Sequence, residues 1–195
     1  RFELNDDIVS FEVSDSYDPS YELVIDPTVV FSTYSGSQAN NFGYTATFDS
    51  RGNLYGGGSA FGRPGQDYPL TPGAYQTIYG GGNVDMGITK YSDDGSTRIY
   101  STYLGGDNTE LPHSFFVNGK DELFIFGTTS SLDYPTTPNA FDTTFNGGST
   151  VNLANGLGVI YDNGSDMVIS RLSAHGTQLL ASTYLGGTDN DCLVF

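Results

Sequence analysis

The sequence contains the motif STYLGG twice and a related copy, STYSGS, once. Two longer phrases also recur in the same order along the sequence. The matching segments are 32–37 with 101–106 and 182–187, 67–82 with 133–148, and 85–106 with 166–187. Recurrence of this kind means that one supersecondary unit is built repeatedly, so it takes precedence over local propensity. The sequence therefore predicts a tandem array of one small unit.

Each unit reads as two β-hairpins. In the first, "YTATFD" pairs with "LYGGGSA" across residues 50–53, and in the second, "MGITKYS" pairs with "TRIYSTYLG" across residues 93–95. Asp, Asn and Gly in these turns supply the positive φ angles that tight hairpins need. The 26 Gly, 14 Tyr and 13 Phe favour short strands and turns over helices. We predict an all-β fold with four antiparallel strands per unit, which is the anatomy of a β-propeller blade.

The repeat also sets the expected domain limits. We expect a β-propeller segment at 28–195, made of an outer strand at 28–36, a blade at 37–106, a blade at 107–187 and the start of another at 188–195. Residues 1–27 lie outside the repeat and read as two strands, Ile8 to Val13 and Tyr21 to Ile25, the terminal hairpin of a preceding β-domain. Propellers close with about four to eight blades. We therefore expect further blades from the same, longer polypeptide, or ring closure by several chains.

The long connection between the two hairpins carries the pattern DYPxTPxA at 67–74 and 133–140. Its prolines lack the N–H that a central strand needs, so we expect an ordered loop that crosses one end of the blade. Tyr75 and Phe141 follow at matching places. We expect both rings to fill the gap between neighbouring blades.

Charge narrows the classes of partner. Seven Lys and Arg against 23 Asp and Glu give a net charge of −16, which disfavours nucleic acids and anionic lipid surfaces. No apolar stretch approaches the roughly 20 residues that span a bilayer. This balance suits a secreted protein and attracts divalent cations. The single Cys192 forms no internal disulfide, and we interpret it as a small buried hydrophobe.

These motifs in this order resemble the SBBP-type β-propeller repeat of secreted bacterial proteins. The resemblance covers roughly residues 28–195 and rests on STYLGG, on D-x-x-G-N-x-Y (Asp49, Gly52, Asn53, Tyr55), on DYPxTPxA and on the segment from Asp85 to Lys90. The lead-in ELVIDP is similar to the segment before such propellers in large surface proteins of Bacteroidota. The resemblance implies a propeller, a cell-surface location, and the type IX secretion and gliding-motility proteins as relatives. It implies no catalytic residues.

Two acidic clusters follow the LGG turns. Asp107, Asn108 and Glu110 follow the first, and Asp189, Asn190 and Asp191 follow the second. Oxygen ligands at alternate positions of a loop are what calcium prefers. Asp and Asn at strand ends also cap turns with their own side chains. We interpret both clusters as turn residues and keep calcium, the one cofactor considered, as the alternative.

The segment 149–164 breaks the repeat, because the second unit carries it and the first does not. Loops on a rigid scaffold commonly bind partners. We take Asn152, Asn155, Tyr161 and Asp162 as candidate ligand-binding residues, for a surface glycan or a protein.

Catalytic signals are scarce. His113 follows a strand end, and His175 occupies a hairpin turn, with no second His or Cys at metal-ligand spacing. The nucleophile-elbow, zinc-protease and phosphate-loop motifs are missing from the sequence. We predict a non-enzymatic extracellular scaffold or adhesion module that is not inserted in the membrane. The alternatives are a propeller-borne glycan-active enzyme and a purely structural subunit of a surface assembly.

Overall fold

The computed structural model describes residues 2–5, 8–11, 18, 20, 29–62, 67–152 and 159–191. The chain divides into two compact units, Arg1–Val30 and Phe31–Phe195. In the first unit, β1 (Phe2–Asn5) pairs antiparallel with β2 (Ile8–Phe11), so that Phe2 lies opposite Phe11. We expected the partner of the Ile8 strand at 21–25, which lies outside the described residues.

The second unit is all-β, as predicted. Its strands are β3 (Asn41–Phe48), β4 (Leu54–Phe61), β5 (Val84–Tyr91), β6 (Arg98–Leu104), β7 (Glu110–Val117), β8 (Leu123–Thr129), β9 (Val151–Asn152), β10 (Ile160–Tyr161), β11 (Asp166–Leu172) and β12 (Leu179–Leu185). The first sheet has the order β3-β4-β5-β6, and the second has the order β7-β8-β11-β12. Every pairing is antiparallel, and the short hairpin β9-β10 is inserted between β8 and β11. The described part contains no helix with the length and apolarity that crossing a bilayer requires.

The two sheets share one hydrophobic core. Val84, Met86 and Ile88 alternate along β5, and the fully buried Leu123 and Ile125 alternate along β8, because successive strand residues point to opposite faces. The buried core contains Tyr55, Met86, Ile88, Tyr100 and Leu104 of the first sheet and Phe115, Leu123, Ile125, Val168, Leu172 and Tyr184 of the second. One face of the first sheet, with Met86 and Ile88, therefore packs against one face of the second, with Ile125 and Val168.

Gly57 allows the closest approach between the sheets. The Phe115 ring of β7 comes within 2.1 Å of the position that a Cβ atom would occupy at Gly57. Any side chain at residue 57 would thus displace the ring. A glycine in a strand interior commonly marks such a close approach.

The DYPxTPxA loop does more than the expected crossing, because it runs along the outer strand of its own sheet. The Thr71 N–H donates to the Ser101 carbonyl at 3.1 Å, and the Tyr103 N–H donates to the Gln76 carbonyl at 3.0 Å. The second sheet repeats both bonds, with Thr137 to Ser182 and Tyr184 to Asp142, each at 3.1 Å. Proline removes donors only at its own positions, so the residues between and after the prolines still pair with the edge strand.

Tyr75 and Phe141, the two rings expected between blades, have different surroundings in the two sheets. Tyr75 packs against the core, and its N–H donates to the Gly176 carbonyl of the second sheet at 2.8 Å. Its counterpart Phe141 is 87% exposed.

Residues 29–37, which cover the expected outer strand at 28–36 apart from residue 28, form no strand. Strand pairing needs a neighbour, and no strand of the described part pairs with this segment.

Candidate functional site

A chain of buried hydroxyl groups occurs once in each sheet. In the first sheet, the Tyr68 hydroxyl lies 2.6 Å from Thr89 Oγ1, which lies 2.7 Å from Ser101 Oγ. The second sheet repeats the arrangement with Tyr134, Ser170 and Ser182 at 2.9 and 2.8 Å. Buried hydroxyls need partners, and these groups supply one another. Because this series of hydroxyl groups recurs at equivalent positions, we assign it a structural role, which is to join the DYPxTPxA loop to its sheet.

Replacing Tyr134 with phenylalanine should lower the free energy of unfolding by about 1 kcal/mol, since the buried hydroxyls left behind lose a partner. Urea denaturation followed by fluorescence measures the change. Tyr34 is 96% exposed and provides the control, since Tyr34→Phe should leave stability unchanged. Equal effects of the two substitutions would contradict the structural role of the hydroxyl chain.

A buried ion pair lies on the opposite face of the first sheet, where Lys90 follows Thr89 in β5. Lys90 Nζ is 2.8 Å from Asp49 Oδ2, and the two side chains are 1% and 0% exposed. The ammonium also lies 4.6 Å from the centroid of the Tyr55 ring and donates to the Ala174 carbonyl of the second sheet at 3.4 Å. Burial by itself would raise the pKa of Asp49, yet hydrogen bonds from Lys90, Asn53 and backbone N–H groups hold that pKa well below its usual range. The pair therefore ties the two sheets together.

The second sheet has an ion pair at the equivalent place, formed by different residues. Arg171 occupies the position of Lys90 and lies 3.5 Å from Glu122, and its guanidinium lies 5.6 Å from the Phe124 ring centroid. Asn118 takes the place of Asp49, and its amide donates to Glu122 at 2.9 Å. Because this pair is partly exposed, it contributes less to stability than the Asp49–Lys90 pair.

Two buried carboxyl groups meet where the sheets join. Asp85 is the second residue of β5, Glu110 is the first residue of β7, and both are 0% exposed. Asp85 Oδ2 accepts a hydrogen bond from the Gly80 N–H at 2.7 Å. Burial, followed by the charge of Glu110, raises the pKa of Asp85 to about 8. Sequence reasoning assigned Asp85 only to the repeat and missed its neighbour across the junction.

Glu110 is held by both its oxygens. Oε1 accepts hydrogen bonds from the hydroxyls of Thr129 and Ser131, each at 2.5 Å, and Oε2 accepts one from the Gly106 N–H at 3.1 Å. Burial raises the pKa of Glu110 to about 7, although the hydroxyl bonds act in the opposite direction. The signal in the sequence is the spacing, because an acidic residue also stands four positions after the glycine pair as Asp191.

The junction after the second sheet repeats part of this arrangement. Asp166 occupies the position of Asp85 and accepts hydrogen bonds from the N–H groups of Asn146 at 2.8 Å and Gly147 at 3.1 Å. Asp191 occupies the position of Glu110 and accepts from the Gly187 N–H at 2.6 Å. Burial raises the pKa of Asp166, and the Asp191 charge adds to the shift. Acid pairs at the sheet junctions are thus a repeated element.

The candidate calcium residues hold turns and junctions. The described part contains no group of three or more His, Cys, Asp or Glu side chains arranged to hold a metal ion. The Asp107 N–H donates to Asp133 Oδ1 at 2.8 Å, and the Asn108 N–H donates to Ser131 Oγ at 2.7 Å. Asp189 is exposed, and Glu110 and Asp191 have the roles given above. The alternative of calcium gains no support from this geometry.

The candidate ligand-binding residues are divided between surface and interior. Asn152 ends β9 and is exposed, and Asp162 follows β10 and is also exposed. Tyr161 is 2% exposed and packs with Val84 and Leu111, which leaves its ring no solvent face for a ligand. Asn155 lies outside the described residues.

The two histidines lie in different environments, one partly buried in β7 and one in an exposed turn. His113 Nε2 lies 2.6 Å from Thr128 Oγ1, and burial lowers the pKa of His113 to about 4. His175 occupies an exposed hairpin turn, as predicted from its alignment with Asp94.

Two clefts accompany these elements. One, of about 300 Å³, lies at the sheet junction and is lined by Tyr75, Gln76, Gly105, Asp133 and Pro135 among others. The other, of about 310 Å³, lies on the face of the first sheet that points away from the second, and it is lined by Phe42, Gly56, Gly58, Tyr68 and Thr89 among others. In the second sheet, the place of Gly56 is taken by the buried Ile125, which packs on the first sheet. The first sheet is therefore hollow where the second is filled.

No protein-family model matches the chain, and no curated protein matches it. The resemblance to SBBP-type repeats thus rests on the sequence motifs alone. The structure adds an all-β class and two sheets of equal topology, built from those motifs.

Proposed function

We propose that residues 28–195 belong to a β-propeller, with adjacent blades at 37–106 and 107–187, and that it serves as a non-enzymatic extracellular scaffold or binding module. The observation that carries the proposal is that buried polar groups recur at equivalent positions of the two sheets. The hydroxyl chains, the ion pairs and the junction carboxyls each occur twice. Polar groups that occur in every repeat are expected to stabilise the repeated fold, whereas a catalytic site normally occurs once in a protein.

The packing at both ends of the sheet pair supports further blades. Phe31 contacts Gly95 of the first sheet in the way that Tyr100 contacts Gly176 of the second. The segment containing Phe31 therefore takes the place of an outer strand in a preceding blade. At the other end, Leu185 is 38% exposed, whereas its counterpart Leu104 is fully buried. We infer that further blades, supplied by the same polypeptide, cover these two faces.

Binding in this proposal belongs to the part that does not repeat. The hairpin β9-β10 places the exposed residues Asn152 and Asp162 outside the repeated core. Changes there leave the repeated contacts intact, so this hairpin is free to recognise a surface glycan or a protein. The net charge of −16 disfavours nucleic acid as the partner.

A glycan-active enzyme is the second candidate, because two carboxyl groups lie close together at the sheet junction. Retaining glycosidases hold their two carboxyl groups about 5–5.5 Å apart. Asp85 Oδ1 and Glu110 Oε2 lie no more than 5.2 Å apart, the sum of their 2.7 and 2.5 Å distances to the Gly105 Cβ position. Both residues are fully buried, however, and both have positional counterparts at the junction after the second sheet. A sugar could not reach them without separating the sheets, so we place the binding function first.

The test presents a panel of bacterial surface polysaccharides to the intact polypeptide and measures both binding and release of reducing sugar. We expect binding without turnover, and we expect Asn152→Ala with Asp162→Ala to weaken binding at least tenfold. The exposed Asp189, in another turn, gives the control, because Asp189→Ala should bind like the parent. Sugar release that Glu110→Gln abolishes would support the enzyme instead.

A further inference from the structure

Where the two sheets join, the carboxyl groups of Asp85 from the first sheet and Glu110 from the second lie beside Gly105. Gly105 has no side chain, and the position of its missing Cβ is 2.5 Å from Glu110 Oε2 and 2.7 Å from Asp85 Oδ1. The two oxygens are therefore no further apart than the sum of these distances, 5.2 Å. Both residues are fully buried, so bulk solvent does not screen the two charges from each other.

The surroundings offer negative charge in place of a counter-ion. Asp133, on the loop after β8, acts on both carboxyl groups, and Asp107, on the turn after β6, lies beside Asp133. Tyr79 and Tyr103 face the same junction from the first sheet. Two ionised carboxylates at this separation, buried and without a cation, repel each other strongly.

Asp85 is less well supplied with hydrogen bonds than its counterpart Asp166. Both oxygens of Asp166 accept backbone N–H groups, whereas no donor in the described part of the chain lies within hydrogen-bond distance of the buried Asp85 Oδ1, although the Gly81 N–H is near enough to lower the pKa of Asp85. Asp85 Oδ1 is the oxygen that faces Glu110 across Gly105. A proton bound by either group would remove one of the two charges.

We propose that Asp85 and Glu110 together bind one proton at neutral pH, so that a carboxylic acid and a carboxylate hold the two sheets together. The site is a proton-binding site, and its two halves belong to different sheets. The raised pKa values, about 8 for Asp85 and about 7 for Glu110, agree with retention of one proton by the pair. The proposal stands independently of the propeller function.

The sign of the pH dependence follows from proton binding. An unfolded chain releases these protons near the ordinary carboxyl pKa of about 4, whereas the folded pair releases them only near pH 7–8. The pair's stabilising contribution is complete below about pH 4 and is lost as pH rises through the folded pKa values. Each extra proton held by the folded state makes the folding equilibrium constant fall about tenfold per pH unit in this interval.

The first test measures the folding equilibrium constant by urea denaturation from pH 5 to 9, in the parent chain and in Glu110→Gln. The glutamine keeps the shape of the side chain and carries no charge. The total fall of the folding equilibrium constant between pH 5 and 9 should therefore be at least tenfold smaller in this variant than in the parent chain. Asp189→Asn is the control, because Asp189 is an exposed acidic residue in the corresponding turn of the second junction, and it should keep the parent slope. An unchanged slope in Glu110→Gln would overturn the proposal.

The second test needs no variant and therefore does not depend on its folding. Carbon-13 NMR of the side-chain carboxyl carbons reports protonation directly, and we expect one protonated group among Asp85 and Glu110 at pH 7. Two fully ionised groups at pH 6 would overturn the proposal. The same spectra with added calcium or with a chelator should not differ. Calcium-dependent shifts of both resonances would show a cation site in place of the proton.

Discussion

Replacing Asp49 with alanine should lower the free energy of unfolding by about 3–5 kcal/mol, the cost of leaving a buried charge without its partner. Lys90 would keep its positive charge in a site where it is 1% exposed. The contacts that remain, with the Tyr55 ring and the Ala174 carbonyl, cannot replace a carboxylate. Thermal and urea unfolding measure the loss.

The repeat provides the matched control for this experiment. Glu122 partners Arg171 at the equivalent place in the second sheet, but that pair is partly exposed. Glu122→Ala should therefore cost less than about 1 kcal/mol. Adding Lys90→Met to Asp49→Ala removes the unpaired charge and should restore more than half of the lost stability. A similar cost for Asp49→Ala and Glu122→Ala would contradict the role of burial.

Replacing Phe115 with alanine should lower the free energy of unfolding by about 3–5 kcal/mol, because the ring fills the space above Gly57. The cavity cannot collapse easily, since both of its walls are β-sheets fixed by backbone hydrogen bonds. The change is measured by urea denaturation at constant pH. Its effect should also appear as weaker protection of the β4 and β5 amides from hydrogen exchange.

The next residue along β7 gives the control. Phe116 points to the other face of the second sheet and is 63% exposed. Phe116→Ala should cost less than about 1 kcal/mol, although it loses a ring contact with Phe124 at 6.1 Å between centroids. If both alanine substitutions cost the same, the sheets would not be packed through Phe115.

Sequence reasoning predicted the parts of the fold that repeat. Asp, Asn and Gly at the turns located the hairpins, because these residues favour the backbone angles of tight turns. Successive residues of β5 point to opposite faces, so Met86 and Ile88 share one face, and both are buried there. Local patterns of this kind determine strands and turns with little help from distant residues.

Contacts between sheets could not be read from the sequence. Asp85 and Glu110 become neighbours only when the second sheet packs on the first, and neither lies in a motif that signals the other. The predicted outer strand at 28–36 fits the repeat, yet its described residues form no strand because pairing depends on a partner strand. The pairing of the proline loop with β6 was also missed, since proline positions alone suggested a crossing.

The loop along β6 has a consequence for the behaviour of the protein in solution. A chain made of near-identical strands is prone to intermolecular aggregation, because an exposed sheet edge accepts the same strand from another molecule. Thr71 and Gln76 occupy hydrogen-bonding groups of the β6 edge, and Thr137 and Asp142 do the same for β12. The prolines on either side of Thr71 offer no N–H to an incoming strand. We expect the proline segments to limit pairing of these edges with a strand from another molecule.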